Sequence, residues 1–402
     1  MLEKNGALTV TMEIESLEFG HGKFFEDSDR VQMTYEQLRL SSLDRRHSAD
    51  SWLSHTVETH GVAGLFIDPG RTIAAHHQPQ RDRTSIRSGT ALHRTHLQEK
   101  EFEIVATSLA EGVGVRTTGR IQQVNEKTVL HVLDRAGNHA RKVNRSILVD
   151  ARVNECQLDE MWSFVGKKEK NLDLLEKISS TLGDAWIWIA FDAVNKIVLA
   201  HVVGKRTLPH AIELLQEVKR VTVDMPVLFA SDQLDQYQKA ILHVYGIWEQ
   251  PCRKGKVGRM PSPRLVPPEN LVYVQVVKKY EKSRISDVSR KIVFGTPEQV
   301  ERILADSVAS KKINTSHIER NNGTVRHIDS RCVRKTYRFS KIMKNHELQL
   351  QLSMAYYHLC RPHRTLTKRY GKPTTPFMAA GFTDHTWTMR ELLKFKPEIH
   401  GS

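Results

Sequence analysis

Between residues 157 and 245 the apolar positions gather into short, nearly continuous runs separated by turn residues. The runs at 158–165 (LDEMWSFV), 186–191 (WIWIAF), 197–203 (IVLAHVV) and 226–230 (PVLFA) are rich in β-branched and aromatic side chains. Runs of this length between turn signals predict strands. The stretch 192–196 (DAVNK) predicts a hairpin turn between the second and third. PVLFA is wholly apolar, the pattern of a central strand buried on both faces. Residues 209–221 place Ala211, Ile212, Leu214, Leu215 and Val218 at helical spacing, and 236–245 reads as a second helix. The expected order is three strands, a helix, a strand and a helix.

Upstream, 103–109 (EIVATSL) is a helical run stopped by Glu111-Gly112-Val113-Gly114. Residues 115–124 and 127–136 form two short amphipathic segments, with Asn125 placed to cap the second. With Lys127, Thr128, His131 and Arg135 exposed, this is the layout of a DNA-binding helix-turn-helix, although any small three-helix bundle reads the same way. Residues 1–100 carry little sustained periodicity. Their His60, His76, His77, His93 and His96 lack cysteine partners and regular spacing, so they read as exposed polar residues, not metal ligands. Residues 246–310 read as an insertion: a Pro/Gly/basic linker at 253–264, two strand-like runs at 271–278 and 291–294, and a helix at 297–305. From Thr315 to about Arg361 the chain reads as helical and very basic. The expected organisation is a poorly defined region at 1–100, a helix-turn-helix domain at 101–150, an α/β domain at 155–345 and a C-terminal helical region at 346–402.

A chain of 402 residues suggests two or three domains, and its net charge of +14 with a pI near 9.6 points to nucleic acid or another polyanion. No run of 18 apolar residues predicts a membrane span, and the N-terminus lacks the apolar core of a signal peptide. The four cysteines form no CxxC pair, which argues against a zinc ribbon and a disulfide framework and leaves a reducing, cytoplasmic compartment as the expectation.

Three acids stand out by position. Asp159 lies within the first strand, Asp232 just beyond the fourth, and Glu319 in SHIERNN at the start of the basic helix. In a three-strand antiparallel meander followed by an α/β unit, the first and fourth strands lie side by side. Their acids then meet at one sheet edge, and a later helix can bring a third carboxylate across. Hard carboxylates suit Mg²⁺ or Mn²⁺, and two such ions about 3.5–4 Å apart can clamp the attacking and leaving oxygens of phosphoryl transfer. Strand alternation puts Glu160 on the face opposite Asp159. Asp192 reads as a turn residue and Asp235 as a helix N-terminal charge. Arg320, Arg326, Arg331, Arg334, Lys335, Arg338 and Lys341 follow the glutamate and are expected to face a DNA backbone. Trp162, Phe164, Trp186 and Trp188 alternate along strands and read as core, with base stacking as the lesser option; Tyr356, Tyr357 and His358 read as packing residues.

The stretch 158–381 resembles the DDE transposases of the insertion-sequence-one family. The matching pieces are LDEMWSFVGKK (158–168), DAWIWIAFD (184–192), VGKRT (203–207), SDQLDQY (231–237), NTSHIERNNGTVR (314–326), RKTYRFSK (334–341), YYHLCRPHRTL (356–366) and TPFMAAG (375–381). The resemblance implies an α/β, ribonuclease H-like catalytic domain with a mixed five-stranded sheet and flanking helices, preceded by a small all-α helix-turn-helix domain. It implies a catalytic, metal-holding triad of Asp159, Asp232 and Glu319 and Mg²⁺- or Mn²⁺-dependent strand cleavage and strand transfer, with two ions. The implied partners are double-stranded DNA, as terminal inverted repeats and target, and further copies of the chain in a dimer or larger assembly, in a bacterial cytoplasm at the nucleoid. Two departures stand out. Members commonly carry Gly after the second Asp, where this chain has Gln233, and many carry a cysteine-paired zinc ribbon, whereas residues 1–100 hold no cysteine. They motivate an alternative, a decayed or repurposed transposase that binds DNA without cutting it. A ribonuclease H-like nuclease or integrase acting on other ends is a third reading, disfavoured by the motifs around Glu319.

Overall fold

The apolar runs pair into one mixed six-stranded sheet. The computed structural model describes residues 9–12, 31–34, 87–178, 182–253, 260–282 and 284–397. The chain divides into two units, 1–80 and 81–402. In the first, Thr9–Met12 pairs antiparallel with Val31–Thr34; His60, His76 and His77 lie outside the described residues. The second unit holds everything that follows.

Its sheet comprises β1 (Glu155–Val165), β2 (Gly183–Asp192), β3 (Ile197–Gly204), β4 (Leu228–Ser231), β5 (Tyr273–Glu281) and β6 (Arg284–Phe294), in the order β6-β5-β4-β1-β2-β3. β1, β2 and β3 form the expected antiparallel meander. β4 lies parallel to β1, with Leu158 opposite Ser231, and parallel to β5 on its other side. The expected five strands are thus corrected to six. The stretch read as an insertion supplies β5 and β6, because Val272, Val274 and Val276 pack with Leu228, Ala230, Val300 and Ile313 in a core of their own. Beside them a short ribbon pairs Ile247–Glu249 with Arg264–Val266.

Helices cover both faces. On one, α5 (Leu208–Val221) and α6 (Asp235–Tyr245) bury Leu214, Leu215, Tyr237 and Ile241 against Leu158 and Trp188. On the other, α8 (Ser316–Ile328) and α9 (Met343–Leu359) bury Ile318, Val325, Leu350 and Met354 against Met161, Ile187 and Ile189. The alternation of β1 divides Leu158 and Met161 between these two cores. Before the sheet run α1 (Glu99–Ala110), α2 (Val115–Gln122) and α3 (Glu126–Ile147). Asn125 caps α3 as expected, its Oδ1 accepting from the Lys127 amide at 2.8 Å. These helices share one continuous core with the sheet, and α3 crosses α9 closely at Gly137. The remaining helices are α4 (Leu174–Ile178), α7 (Pro297–Asp306), α10 (Arg364–Tyr370), α11 (Pro376–Ala379) and α12 (Met389–Lys394).

The long basic helix expected from Thr315 to Arg361 is broken after Ile328. The buried Asp329 carboxylate captures the Arg331 amide at 2.8 Å, which turns the chain. Ser340 then bridges to Val165, and its carbonyl accepts from the Gly166 amide at 2.8 Å. Residues 329–342 therefore run beside the end of β1 outside any helix. No helix among the described residues is long and apolar enough to cross a membrane.

Candidate active site

β4 ends at Ser231, opposite Leu158, so β1 has an edge uncovered by any strand from Asp159 until Ser340 bridges to Val165. Asp232 leaves the end of β4 at that same level. Its Oδ1 accepts from the Leu234 amide at 3.1 Å, closing the turn into α6, while Ser231 Oγ bonds its own neighbour's carbonyl and the Tyr273 hydroxyl of β5, each at 2.7 Å. Asp159 points toward α8, where Asn322 Nδ2 donates to its Oδ2 at 2.7 Å. Glu160 points the other way, accepting from Arg206 Nε at 3.0 Å and from the Tyr237 hydroxyl at 3.0 Å. The alternation of β1 is as expected, yet carboxylate oxygens of Asp159, Glu160 and Asp232 all lie within 4.8 Å of one another. Separating Glu160 from the acidic centre by face alone is corrected by this geometry: at an open edge, flexible carboxylates from both faces reach the same space.

The cluster stores like-charge repulsion. Burial, then Glu160 and Asp232, push the Asp159 carboxyl up to about 7. Burial also raises Asp232, against the pull of Arg206 and Lys278, and raises Glu160, against Arg206. Three half-buried carboxylates held together in this way favour a bound cation or proton. Their donors are hard oxygens without thiolate or imidazole, the set that suits Mg²⁺ or Mn²⁺. Asn322 adds a buried Oδ1 with no hydrogen-bond partner.

Glu319 sits in the first turn of α8 outside the three-carboxylate group. It is close enough to raise both Asp159 and Asp232. Its Oε1 accepts from Thr315 Oγ1 at 2.7 Å and pairs with Lys278 of β5. Gln157 sets the height of this helix against the sheet: its Oε1 accepts from the Ile318 amide at 2.9 Å, and its Nε2 donates to Glu155 at 2.7 Å and to the Asn314 carbonyl at 2.8 Å. Asp192 is a buried turn residue, accepting from the Val194 and Asn195 amides at 2.8 and 3.2 Å. Asp235 is the acid in the first turn of α6. Gln233 is exposed and is not among the residues with positive φ, so this turn does not demand the glycine found in relatives.

The basic residues divide. Arg320, Arg334 and Lys335 are exposed, as are Lys127 and His131, while Thr128 is half-buried. Arg135 Nε donates to the Ala91 carbonyl at 3.0 Å and ties α3 to the chain before α1. Arg326 is half-buried beside Arg334, and burial lowers its guanidinium pKa. Arg331 corrects the expectation of a surface cation: it is 9% exposed, faces Asp329, and donates to Ser340 Oγ at 3.0 Å. Arg338 reaches back to the Gly112 carbonyl at 3.2 Å, and Lys341 lies 3.8 Å from the Phe339 ring centre. Gln157, Arg206, Tyr237, Lys278 and Asn322 escaped the sequence reading. Of these only Asn322 carried a signal, three residues beyond Glu319 and so on its side of the helix.

In this mixed sheet the centre of hard oxygen donors sits where the short central strand β4 stops beside the longer β1. Residues 153–249, which carry Asp159, Glu160 and Asp232, match the family described as IS1 transposase, and the resemblance drawn from the motifs holds over that segment. Among solved structures the chain is similar to the crystal structure of the Mos1 strand transfer complex, with 15% identity over 37% of this chain and 54% of that one. It is also similar to the Mos1 transposase paired-end complex with left transposon end, with 14% identity over 37% of this chain and 56% of that one. The crystal structure of a pre-cleavage Mos1 transpososome aligns at 13% identity over 38% and 59%. The alignments thus span little more than half of those chains, and the TM-score of 0.15 in each case is too low to add to the fold assignment. No curated protein matches.

Proposed function

We propose that this chain is a transposase whose ribonuclease H-like domain cuts and joins DNA strands at the ends of an insertion element. The observation that carries the proposal is the convergence of Asp159, within β1, and Asp232, just past the end of the parallel β4, inside the segment matching the IS1 transposase family. Asp159, Asp232 and Glu319 would hold Mg²⁺ or Mn²⁺. When bound, such ions supply Lewis-acid stabilisation of phosphate charge and lower the pKa of water.

The chain's own residues do the positioning. Asn322 fixes the Asp159 carboxylate through Oδ2, while Oδ1 accepts from the Glu160 amide at 3.0 Å. Arg206 and Tyr237 hold Glu160, so its charge is offset by protein groups. Lys278 engages Glu319 and its charge pulls the Asp232 pKa down against burial, placing a cation where a phosphate oxygen could be met. Water or a 3′-hydroxyl would then attack in line, as in phosphoryl transfer generally. In this reading the α2–α3 pair binds terminal inverted repeats and a dimer or larger assembly pairs two ends.

The test is strand cleavage of labelled duplex carrying the repeats that flank the gene, in Mg²⁺, Mn²⁺ or EDTA, beside Glu319→Gln. Metal-dependent nicking at the repeat end, lost in the variant, is the expected result. Tight, salt-sensitive binding with no nick in any metal would instead establish the DNA binder without cleavage.

A further inference from the structure

The uncovered edge of β1 continues past the acidic cluster into a recess. Between β1 and the segment 331–337 lies a cavity of about 290 Å³, near the lower end for ligand pockets. Its lining includes Trp162, Phe164, Lys168, Arg334, Lys335 and Tyr337. Trp162 is three residues beyond Asp159, about 10 Å along the strand. The Trp162 and Phe164 rings stack with centres 5.6 Å apart at 30°, and Phe164 leans on Phe339 at 4.7 Å.

These rings are not core in the way the alternation suggested. Trp188, on the covered part of the sheet, is fully buried and donates from its indole to the Lys205 carbonyl at 3.1 Å. Trp162 and Phe164 stay half-buried, because β4 ends before reaching them. Lys168 Nζ stands 5.6 and 5.8 Å from their ring centres, and the Tyr337 ring at the rim is 98% exposed. The lining holds four cations, counting buried Arg331, and no carboxylate. Among the described residues Lys168, Arg334 and Lys335 have no ion-pair partner. Stacking rings rimmed by unpaired cations make the combination that binds single-stranded nucleic acid, one base face and one phosphate at a time.

We propose that this recess receives an unpaired nucleotide of the DNA strand held at the acidic cluster, with the base against Trp162, Phe164 and Tyr337 and its phosphate met by Lys168, Arg334 and Lys335. The inference rests on the DNA-processing function proposed above and adds to it the state of the strand: locally unpaired beside the site of cleavage.

The test uses the full chain and a short single-stranded oligonucleotide carrying 2-aminopurine, beside blunt duplex of the same sequence. Stacking predicts quenched 2-aminopurine emission on binding. Tyr337→Ala, at an exposed ring whose loss spares the fold, and Trp162→Ala should each weaken single-strand binding by roughly 5- to 150-fold and relieve the quenching. Duplex affinity should be unchanged. Trp162→Phe, which keeps a ring, should retain the quenching even where Trp162→Ala fails to fold. Single-strand binding by Tyr337→Ala and Trp162→Phe that equals wild type without any quenching would overturn the proposal, as would a parallel fall in single-strand and duplex affinity. The readout needs no cleavage. Protein that quenches but never nicks overturns strand cleavage alone; protein that nicks but never quenches overturns this inference alone.

Discussion

Asn322 shows what the acidic centre requires of its neighbours. Its Nδ2, 2.7 Å from Asp159 Oδ2, helps orient a carboxylate that burial and three other acids push up to about 7. Removing a group that orients a ligand typically costs about 10- to 100-fold in metal affinity or activity. Asn322→Ala should therefore nick DNA about 10- to 100-fold more slowly at limiting Mg²⁺ and recover part of the loss at high Mg²⁺; an unchanged rate would remove Asn322 from the site. A different residue-scale effect belongs to His358. It accepts from the Val198 amide at Nε2 (3.1 Å) and stacks on Phe377 with ring centres 4.6 Å apart, and burial lowers its pKa to about 3. Below its ordinary pKa of about 6.5 the unfolded chain binds a proton that the folded chain refuses, so the stability that neutral His358 contributes is complete above that pH and is lost as pH falls. In urea unfolding, the advantage of wild type over His358→Gln should shrink by about 1.4 kcal/mol per pH unit below pH ~6.5. An advantage that stays constant across that range would mean that His358 is not held neutral by its burial.

At the scale of elements, two helices, α3 and α9, approach closely at Gly137. A Cβ on Gly137 of α3 would lie 2.6 Å from the Leu348 carbonyl oxygen of α9, a backbone atom that cannot swing aside. Alanine gains up to about 1 kcal/mol of helix propensity over glycine, but overpacking a rigid contact costs about 1–3 kcal/mol or more. Gly137→Ala should thus lower stability, whereas Gly323→Ala in α8, where nothing lies within 4 Å, should raise it by up to about 1 kcal/mol. Denaturant unfolding of both variants checks the pair, and the same sign in both would contradict the packing. The elements also show what the sequence could reveal. β1 to β4, α5 and α6 were legible because each is written in a local apolar run, and the parallel pairing of β1 with β4 follows from their order. That placed Asp159 beside Asp232 in advance. The membership of β5 in the same sheet was not legible, since strand pairing across more than 40 residues leaves no local trace, and Lys278 was hidden with it. The break after Ile328 was missed for a related reason: an aspartate that captures an amide two residues on looks like any polar helix residue until its burial is known. Arg331, whose amide Asp329 captures, moved from surface to interior as a result.

For the whole molecule, a net charge of +14 accompanies a centre of carboxylates, a balance suited to a polyanion held beside a cation site. DNA affinity should fall linearly with salt on logarithmic axes, by about 0.9 per phosphate contacted. Arg320→Ala, Arg334→Ala and Lys335→Ala should each reduce that slope by about 1, while Arg331→Ala, which strips the buried Asp329 of its counter-charge, should reduce stability and leave the slope of the folded protein alone. Slopes unchanged in all three exposed variants would move the DNA path elsewhere. The central claim is that the carboxylates gathered between β1 and the end of β4 cut DNA, and the direct measurement is nicking of the repeat-bearing duplex by wild type, Asp232→Asn and Glu319→Gln in Mg²⁺, Mn²⁺ and EDTA. The expected result is a nick at the repeat end that needs the metal and both acids, with duplex binding retained by the folded variants. Folded wild-type protein that binds the duplex and leaves it intact in every metal would contradict it.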